Sequence, residues 1–312
     1  MKQQAIFLMG PTAVGKTDLA VELAQRLPVD IISVDSAMVY RGMDIGTGKP
    51  SAEILAVAPH QLINICDPSQ PYSVAQFCID ADLEMQKSWQ QHKIPLLVGG
   101  TMLYFKALQF GLAKLPAAAP ELRQQLLQEA QLVGWPAMHA KLATLDPVAA
   151  QRLNANDSQR VQRALEINLL MGQTLSASFA QQLEKKLNYK LHSFALVPED
   201  RAVLHTRIEQ RFMHMLDLGL IAEVEALYSR GDLTAQLPSI RSVGYRQVWS
   251  YLADQLDYAA MCAQAIAATR QLAKRQYTWL RSWPEIINID NFNSVALDTI
   301  IQSVLDFRND YA

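Results

Sequence analysis

Residues 10 to 17, Gly10-Pro11-Thr12-Ala13-Val14-Gly15-Lys16-Thr17, follow the pattern Gly-x-x-x-x-Gly-Lys-Ser/Thr and stand between an apolar run, Ala5 to Met9, and an amphipathic stretch extending to Leu27. A strand entering such a loop and a helix leaving it gather backbone N–H groups and the positive end of the helix dipole around a diphosphate or triphosphate. The glycines permit the tight turn, Lys16 neutralises terminal phosphate charge, and the Thr17 hydroxyl is placed to hold a Mg²⁺ bridging phosphate oxygens. A glycine-rich turn with a capping threonine is the plainer alternative. The loop dictates a strand-loop-helix unit and leaves open which molecule carries the phosphates.

The chain beyond the loop extends that unit. Short apolar runs at Ala5 to Met9, Ile31 to Val34, Leu62 to Ile65 and Pro95 to Val98 alternate with helical patterns, which predicts an α/β fold: a parallel sheet of the P-loop NTPase type flanked by helices. Ligands in such folds bind at the carboxyl ends of the strands. Three segments fall there: the phosphate loop, Asp35-Ser36, and Gly99-Gly100-Thr101. From Pro116 to Lys190 the chain changes to Ala, Gln, Leu and Arg at helical spacing, with starts at Pro120 and Asp157, predicting a helical insertion domain at 116–190 within a core domain of 1–115 and 191–312. His192 to Val197 reads as a strand returning to the sheet. Long helices are expected over Asp200 to Leu216, Leu220 to Arg230 and Tyr258 to Arg281, then an edge strand at Ile286 to Ile289.

The chain has 312 residues, half of them hydrophobic, enough for a substantial core. It shows neither a secretory leader nor an apolar run of membrane-spanning length, and Cys66, Cys78 and Cys262 lack metal-ligand spacing, so a cytoplasmic protein with reduced thiols is expected. A net charge of −2 excludes a general polyanion binder and confines any nucleic-acid contact to a local patch. One such patch is at hand: Tyr258 to Pro284 contains no acidic residue, while Arg270, Lys274, Arg275 and Arg281 interleave with Tyr277, Trp279 and Trp283. The solvated basic face of a long helix would look the same.

Phosphoryl-transfer sites built on this loop normally add an acid at the end of a second apolar strand to hold the metal. Here the strand at Leu96 to Val98 runs into Gly99-Gly100-Thr101 instead. Asp35 is the acid closest after the loop at a strand end. In a small-molecule kinase using ATP it could take a proton from a substrate hydroxyl, so that reading stands as the alternative. A non-catalytic RNA-binding protein with a nucleotide switch is a third.

Beyond the loop, Asp35-Ser36-Ala37-Met38-Val39-Tyr40-Arg41-Gly42-Met43-Asp44-Ile45-Gly46-Thr47-Gly48-Lys49-Pro50 and Gly99-Gly100-Thr101-Met102-Leu103-Tyr104 resemble the bacterial tRNA dimethylallyltransferases, the IPP transferase family. The likeness continues through Asn156-Asp157, Gln159 to Glu166, Arg207 to Phe212, Ile240 to Tyr245 and Thr269 to Trp279, covering nearly the whole chain in order. It implies transfer of a dimethylallyl group from dimethylallyl diphosphate to the exocyclic amine of the adenosine 3′ of the anticodon, in tRNAs reading codons that begin with U. The loop would then hold an isoprenoid diphosphate, with Mg²⁺ at Thr17.

The resemblance further implies that Asp35 is the general base, that Arg211 reaches the diphosphate, and that Thr101 lines the channel where amine and allylic carbon meet. As alternatives, Asp35 or Thr101 could cap a helix and Arg211 could pair with Glu209 or Asp217. Expected tRNA contacts are Asp35-Ser36-Ala37-Met38 and Thr101 at the base, Arg123 and Gln159-Arg160-Val161-Gln162-Arg163 on the insertion, and Ile240-Arg241-Ser242-Val243-Gly244-Tyr245 and Ala273-Lys274-Arg275-Gln276-Tyr277-Thr278-Trp279-Leu280 on the core. Many family members carry Gln where this chain has Met38, which removes a side-chain amide from base reading. The expected partners are tRNA and dimethylallyl diphosphate, with no membrane and no obligate protein partner, the enzyme acting as a monomer.

Overall fold

The computed structural model describes residues 3–113, 115–180, 187–198, 200–290 and 296–309. The chain divides into two compact units, 1–109 with 187–312, and 110–186.

The first unit is built on six strands, β1 (Gln4–Met9), β2 (Val29–Val34), β3 (His60–Gln61), β4 (Ile94–Gly99), β5 (Lys190–Leu196) and β6 (Ile287–Ile289), in the order β3-β2-β4-β1-β5-β6. Every pairing is parallel. The run Ala-Ile-Phe-Leu-Met of β1 is buried along its length, which is why it is continuously apolar rather than alternating: helices cover both faces of a parallel sheet. Ile6 and Leu8 join a core that includes Leu19, Ala20 and Leu23 of helix α1 (Lys16–Arg26). On the other face Phe7 packs at 4.9 Å, centroid to centroid, on Phe105. Leu23 is fully buried, and truncating such a side chain costs about 2–5 kcal/mol.

The helices after β2 are α2 (Ala52–Val57), α3 (Val74–Gln90) and α4 (Met102–Phe110). Ser51 and Ser73 cap α2 and α3 by accepting the N–H of Ile54 and Gln76. After β5 come α10 (Arg201–Asp217), α11 (Leu220–Tyr228), α12 (Tyr245–Leu252), α13 (Tyr258–Arg281) and α14 (Ala296–Asn309). The second unit holds α5 (Pro120–Val133), α6 (Trp135–Leu145), α7 (Pro147–Arg152), α8 (Ser158–Met171) and α9 (Leu175–Ala180) around Leu126, Met138, Leu142 and Leu165. Pro120 begins α5, and the Asp157 side chain caps α8 by accepting the Arg160 N–H. The part of the expected insertion at 181–186 lies outside the described residues.

Two expectations need correction. The apolar run Leu62 to Ile65 is no strand; β3 is the two residues before it. Leu62 and Asn64 adopt φ of 61° and 56°, a left-handed backbone that ends pairing. Helix α12, whose apolar face is Tyr245, Val248 and Trp249, was not anticipated; only its first residue, Tyr245, belongs to a segment read as an RNA contact.

Register is what positions the site. Gly99 of β4 lies level with both Met9 of β1 and Val34 of β2. The three loops that leave those strands therefore emerge side by side. Moreover β1 leads away toward β2 on one side and β4 leads toward β5 on the other, so the crevice opens where the winding direction reverses.

Candidate active site

The phosphate loop leaves β1 at the centre of this crevice. A side chain at Gly10 would lie 2.9 Å from the Leu196 carbonyl of β5, and Ala13 and Gly15 take φ of 66° and 92°. The backbone thereby curls back and enters α1 without any side-chain cap, leaving the first N–H groups of the helix to an anion. Lys16 donates to the Pro11 carbonyl at 2.7 Å. Burial first, and then the Arg211 charge, pull its ammonium down to about 7, against an opposing effect of Asp35. An anion would restore the charge that burial disfavours. Among the described residues no group of three or more His, Cys, Asp or Glu could hold a metal unaided. A hydroxyl at Thr17, in the first turn beside the anion site, suits a hard divalent cation that takes its other ligands from phosphate and water.

At the end of β2, Asp35 accepts two backbone bonds through the same oxygen, Oδ1, from Ala37 at 2.8 Å and Met38 at 3.2 Å. The capping alternative is thus realised, as a turn rather than a helix, and it fixes the carboxylate while Oδ2 takes part in no hydrogen bond among the described residues. At the end of β4, Thr101 is tied to the same turn. Its Oγ1 accepts the Ser36 N–H at 3.1 Å, and its own N–H donates to Val34 at 3.2 Å. The two glycines before it have a steric reason. A side chain at Gly99 would collide with the Val34 carbonyl, and one at Gly100 with the Gln276 amide. An acid could not stand at Gly99 without moving backbone, nor at Gly100 without displacing the Gln276 side chain. Met38 has its sulfur 3.8 Å from the Ser33 hydroxyl.

Arg211 comes in from α10. It donates to the Thr12 hydroxyl at 3.1 Å and to the Thr47 carbonyl at 3.4 Å, and burial lowers its pKa against the pull of Asp35. Of the two acids offered as its partner, Glu209 and Asp217, the first instead pairs with Arg270 at 2.8 Å. Lys16, Arg211 and Asp35 therefore act on one another electrically, two basic groups and one acid, the lysine and the carboxylate following β1 and β2 and the guanidinium reaching them from α10.

The RNA candidates fall into two groups. Val161, Ile240, Tyr245, Ala273 and Leu280 are buried, so their side chains pack the interior; for those on helices this follows from helical spacing, since a contiguous motif turns some of its residues inward. Gln276 is also buried, but it is bonded to the site itself. Its Oε1 accepts the Thr12 N–H at 3.0 Å and its Nε2 donates to the Gly100 carbonyl at 2.8 Å. Gly244 is buried too, its N–H satisfied by Gln247. Lys274, Arg275 and Thr278 are exposed along α13, as is Arg241, while Ser242 and Val243 are half-buried. Tyr277 lies under the Arg201 guanidinium at 5.6 Å, and Trp279 under the Lys106 ammonium at 5.4 Å.

In the second unit Gln159 and Arg160 are exposed, Arg160 forming an ion pair with Asp157. Arg123 and Arg163 are tied inward. Arg123 holds both oxygens of Glu166, at 2.9 and 3.0 Å, and Arg163 adds bonds to Glu166 and to the Pro116 carbonyl, each 2.6 Å. Gln162 donates to the Arg123 carbonyl at 2.8 Å. Burial alone would raise the Glu166 pKa; these bonds and the Ala119 N–H outweigh it and hold the carboxyl below its usual range. Glu166 was given no role from sequence, although an acid amid the apolar run Ala164-Leu165-Ile167 is the signal that finds it.

Known proteins carry the same pattern. The family described as IPP transferase matches residues 38–283, and the one described as isopentenyl transferase matches residues 3–63. A protein of Thioalkalivibrio sulfidiphilus (strain HL-EbGR7) named tRNA dimethylallyltransferase is 56% identical over 308 residues, 98% of this chain and 96% of that protein. Among solved structures, the full-length tRNA isopentenylpyrophosphate transferase of Bacillus halodurans is 36% identical with a TM-score of 0.68, covering 99% of this chain and 96% of its own. A eukaryotic dimethylallyltransferase acting on tRNA is 25% identical with a TM-score of 0.80, covering 99% and 80%.

Proposed function

The chain belongs to the IPP transferase family of tRNA dimethylallyltransferases, and from that premise we propose that it moves a dimethylallyl group from dimethylallyl diphosphate to the exocyclic amine of the adenosine 3′ of the anticodon, in tRNAs reading codons that begin with U. The observation that carries the proposal is the meeting of the phosphate loop, Asp35 and Thr101 at three adjacent strand ends.

The exocyclic amine of adenine is a weak nucleophile because its lone pair is delocalised into the ring, so the reaction needs alignment, a proton acceptor and a stabilised leaving group. Asp35, oriented through Oδ1, accepts the amine proton at Oδ2. The nitrogen bonds to the allylic carbon as the carbon–oxygen bond breaks, and the bonding pair leaves with pyrophosphate. Lys16, Arg211 and the backbone N–H groups of residues 13 to 17 receive the charge that grows on the departing oxygens; one preorganised donor of this kind is worth about 3–4 kcal/mol. Thr17 would hold a divalent cation, Mg²⁺ in this reading, whose charge would offset that of the diphosphate. Thr101, joined to the Ser36 turn, lines the path between amine and carbon.

A stacked adenosine is out of reach of such a crevice, so the base must be extruded. The exposed cations Lys274, Arg275 and Arg241 hold RNA phosphates on the first unit, as Arg160 does with Gln159 on the second; Arg123 and Arg163 serve chiefly to shape that surface. Met38 packs against the flipped ring without reading it by hydrogen bonds. Among the described residues no helix is long and apolar enough to cross a membrane. In this reading the enzyme acts in the cytoplasm as a monomer. The kinase alternative is not favoured by the relatives, and Gly99 and Gly100 occupy the place where its metal-holding acid would be.

Incubation with Mg²⁺, labelled dimethylallyl diphosphate and an unmodified anticodon stem-loop tests the proposal. Label in the RNA at the expected adenosine supports it. Label transferred from γ-labelled ATP to a small molecule, with none in the RNA, overturns it.

A further inference from the structure

The segment Asp44 to Lys49 runs beside Arg211, and one carboxylate from α11 collects its backbone. Glu223 accepts the N–H groups of Asp44 at 2.8 Å and Ile45 at 2.7 Å through Oε2, and that of Gly46 at 3.1 Å through Oε1. The Tyr245 hydroxyl donates to the same Oε1. Each oxygen thus carries two bonds, and three successive amides converge on one negative charge, a charge-assisted arrangement stronger than ordinary amide pairing. Burial, reinforced by the Glu223 charge, keeps the Tyr245 phenol well above its usual range, so it remains a donor. Lys49 in turn holds the Asp44 carboxylate and the side-chain oxygen Oδ1 of Asn64, both at 2.6 Å.

Between these two anchors the segment touches Arg211 twice. The Thr47 carbonyl accepts from its Nη2, and Gly48 lies so close that a side chain there would collide with the guanidinium. Gly46 is closed against the Tyr245 ring in the same manner, with a side chain falling 2.5 Å from Cε2. Among the described residues the hydrogen bonds of Glu223 go to the segment that backs Arg211 and to the tyrosine that braces that segment.

We infer that Glu223, braced by Tyr245, is a positioning residue that holds Arg211 at the phosphate loop by fixing the backbone of residues 44 to 48. The inference rests on the proposed contact of Arg211 with diphosphate. It gives Asp44 and Lys49 a purpose that the sequence left open, and Tyr245 one other than the RNA contact expected of it. A carboxylate serving only to stabilise the helices would affect folding without selecting one ligand over the other.

Binding of inorganic pyrophosphate with Mg²⁺, measured by calorimetry on the full chain, separates the cases, with anticodon stem-loop affinity and melting temperature recorded alongside. Glu223→Gln is expected to weaken pyrophosphate at least tenfold, to leave stem-loop affinity within twofold, and to add less than twofold to the loss caused by Arg211→Ala. Pyrophosphate affinity equal to wild type, or losses that multiply in the double variant, overturns the inference. Where Glu223→Gln fails to fold, Tyr245→Phe is read the same way, a threefold loss that vanishes in the Arg211→Ala background supporting it and an unchanged affinity overturning it. Failure of the wild type to bind pyrophosphate, or full binding by Arg211→Ala, would instead sink the underlying reading of the site.

Discussion

Gln276 donates its amide nitrogen to the carbonyl of Gly100 at 2.8 Å, while its carbonyl oxygen takes the N–H of Thr12. A residue of the long helix α13 is thereby bonded to two of the three loops that form the crevice. We expect Gln276→Ala to raise the KM for dimethylallyl diphosphate by about tenfold or more, because a lost bond that strands buried backbone groups costs about 1–3 kcal/mol. Steady-state kinetics check this; an unchanged KM would separate the helix from the loop.

Asparagine at position 35 keeps an acceptor for Ala37 and Met38 but cannot take a proton. Asp35→Asn should therefore bind the stem-loop as the wild type does and lose about 10²–10⁴ in kcat, the usual contribution of a general base. Asp35→Ala removes the turn's acceptor as well and should also weaken RNA binding. Single-turnover rates beside filter-binding affinities distinguish the two variants, and full activity in the asparagine variant would remove Asp35 as base.

The Lys16 ammonium, held at about 7 by burial and Arg211, carries a definite sign. Its folded value lies below its unfolded one of 10.5, so between those two values the unfolded chain holds a proton that the ligand-free folded chain has released, and this group makes stability rise with pH across that window. Pyrophosphate reverses the shift, and at pH 8 its binding should take up about one more proton in the wild type than in Lys16→Met. Calorimetry in buffers of different ionisation enthalpy measures the difference; equal uptake would show that Lys16 is already charged without ligand.

Glu166 is 0% exposed, whereas the Arg123 side chain that it holds is 41% exposed. Replacing Glu166 with Gln leaves two arginines without their anion, and the more exposed one relaxes into solvent, so we expect a loss of about 1–3 kcal/mol confined to the second unit. Hydrogen exchange should quicken in α5 and α8 while pyrophosphate binding stays unchanged. Uniform loss of protection throughout the chain would contradict that assignment.

The crevice was legible in the sequence wherever its signals are local. Gly10 to Thr17, Asp35 and Gly99 to Thr101 each follow an apolar run, and a parallel sheet aligns the ends of such runs. Gln276 and Glu223 were not recognised for what they do, because their bonds to Thr12 and Gly46 join positions 264 and 177 residues apart. A clue to Gln276 was present: it shares a buried stripe with Ala273 and Leu280, where a polar side chain needs a partner. The strand expected at Leu62 to Ile65 failed for another reason. Its apolar run is real, but the positive φ of Leu62 and Asn64 is imposed by the turn that brings Asn64 to Lys49.

The sheet order also bears on how the molecule is made. Strand β1 leaves the ribosome before either of its partners, and one of its edges pairs with β4 and the other with β5, about 190 residues later. Loop closure over such a distance is slow, and an unpaired apolar edge is open to wrong partners in the meantime. The phosphate loop is thus synthesised early and completed late, since Arg211, Glu223 and Gln276 all follow β5. A nascent chain halted before α13 would carry the whole Gly10 to Thr17 motif and still lack the residue that joins it to Gly100.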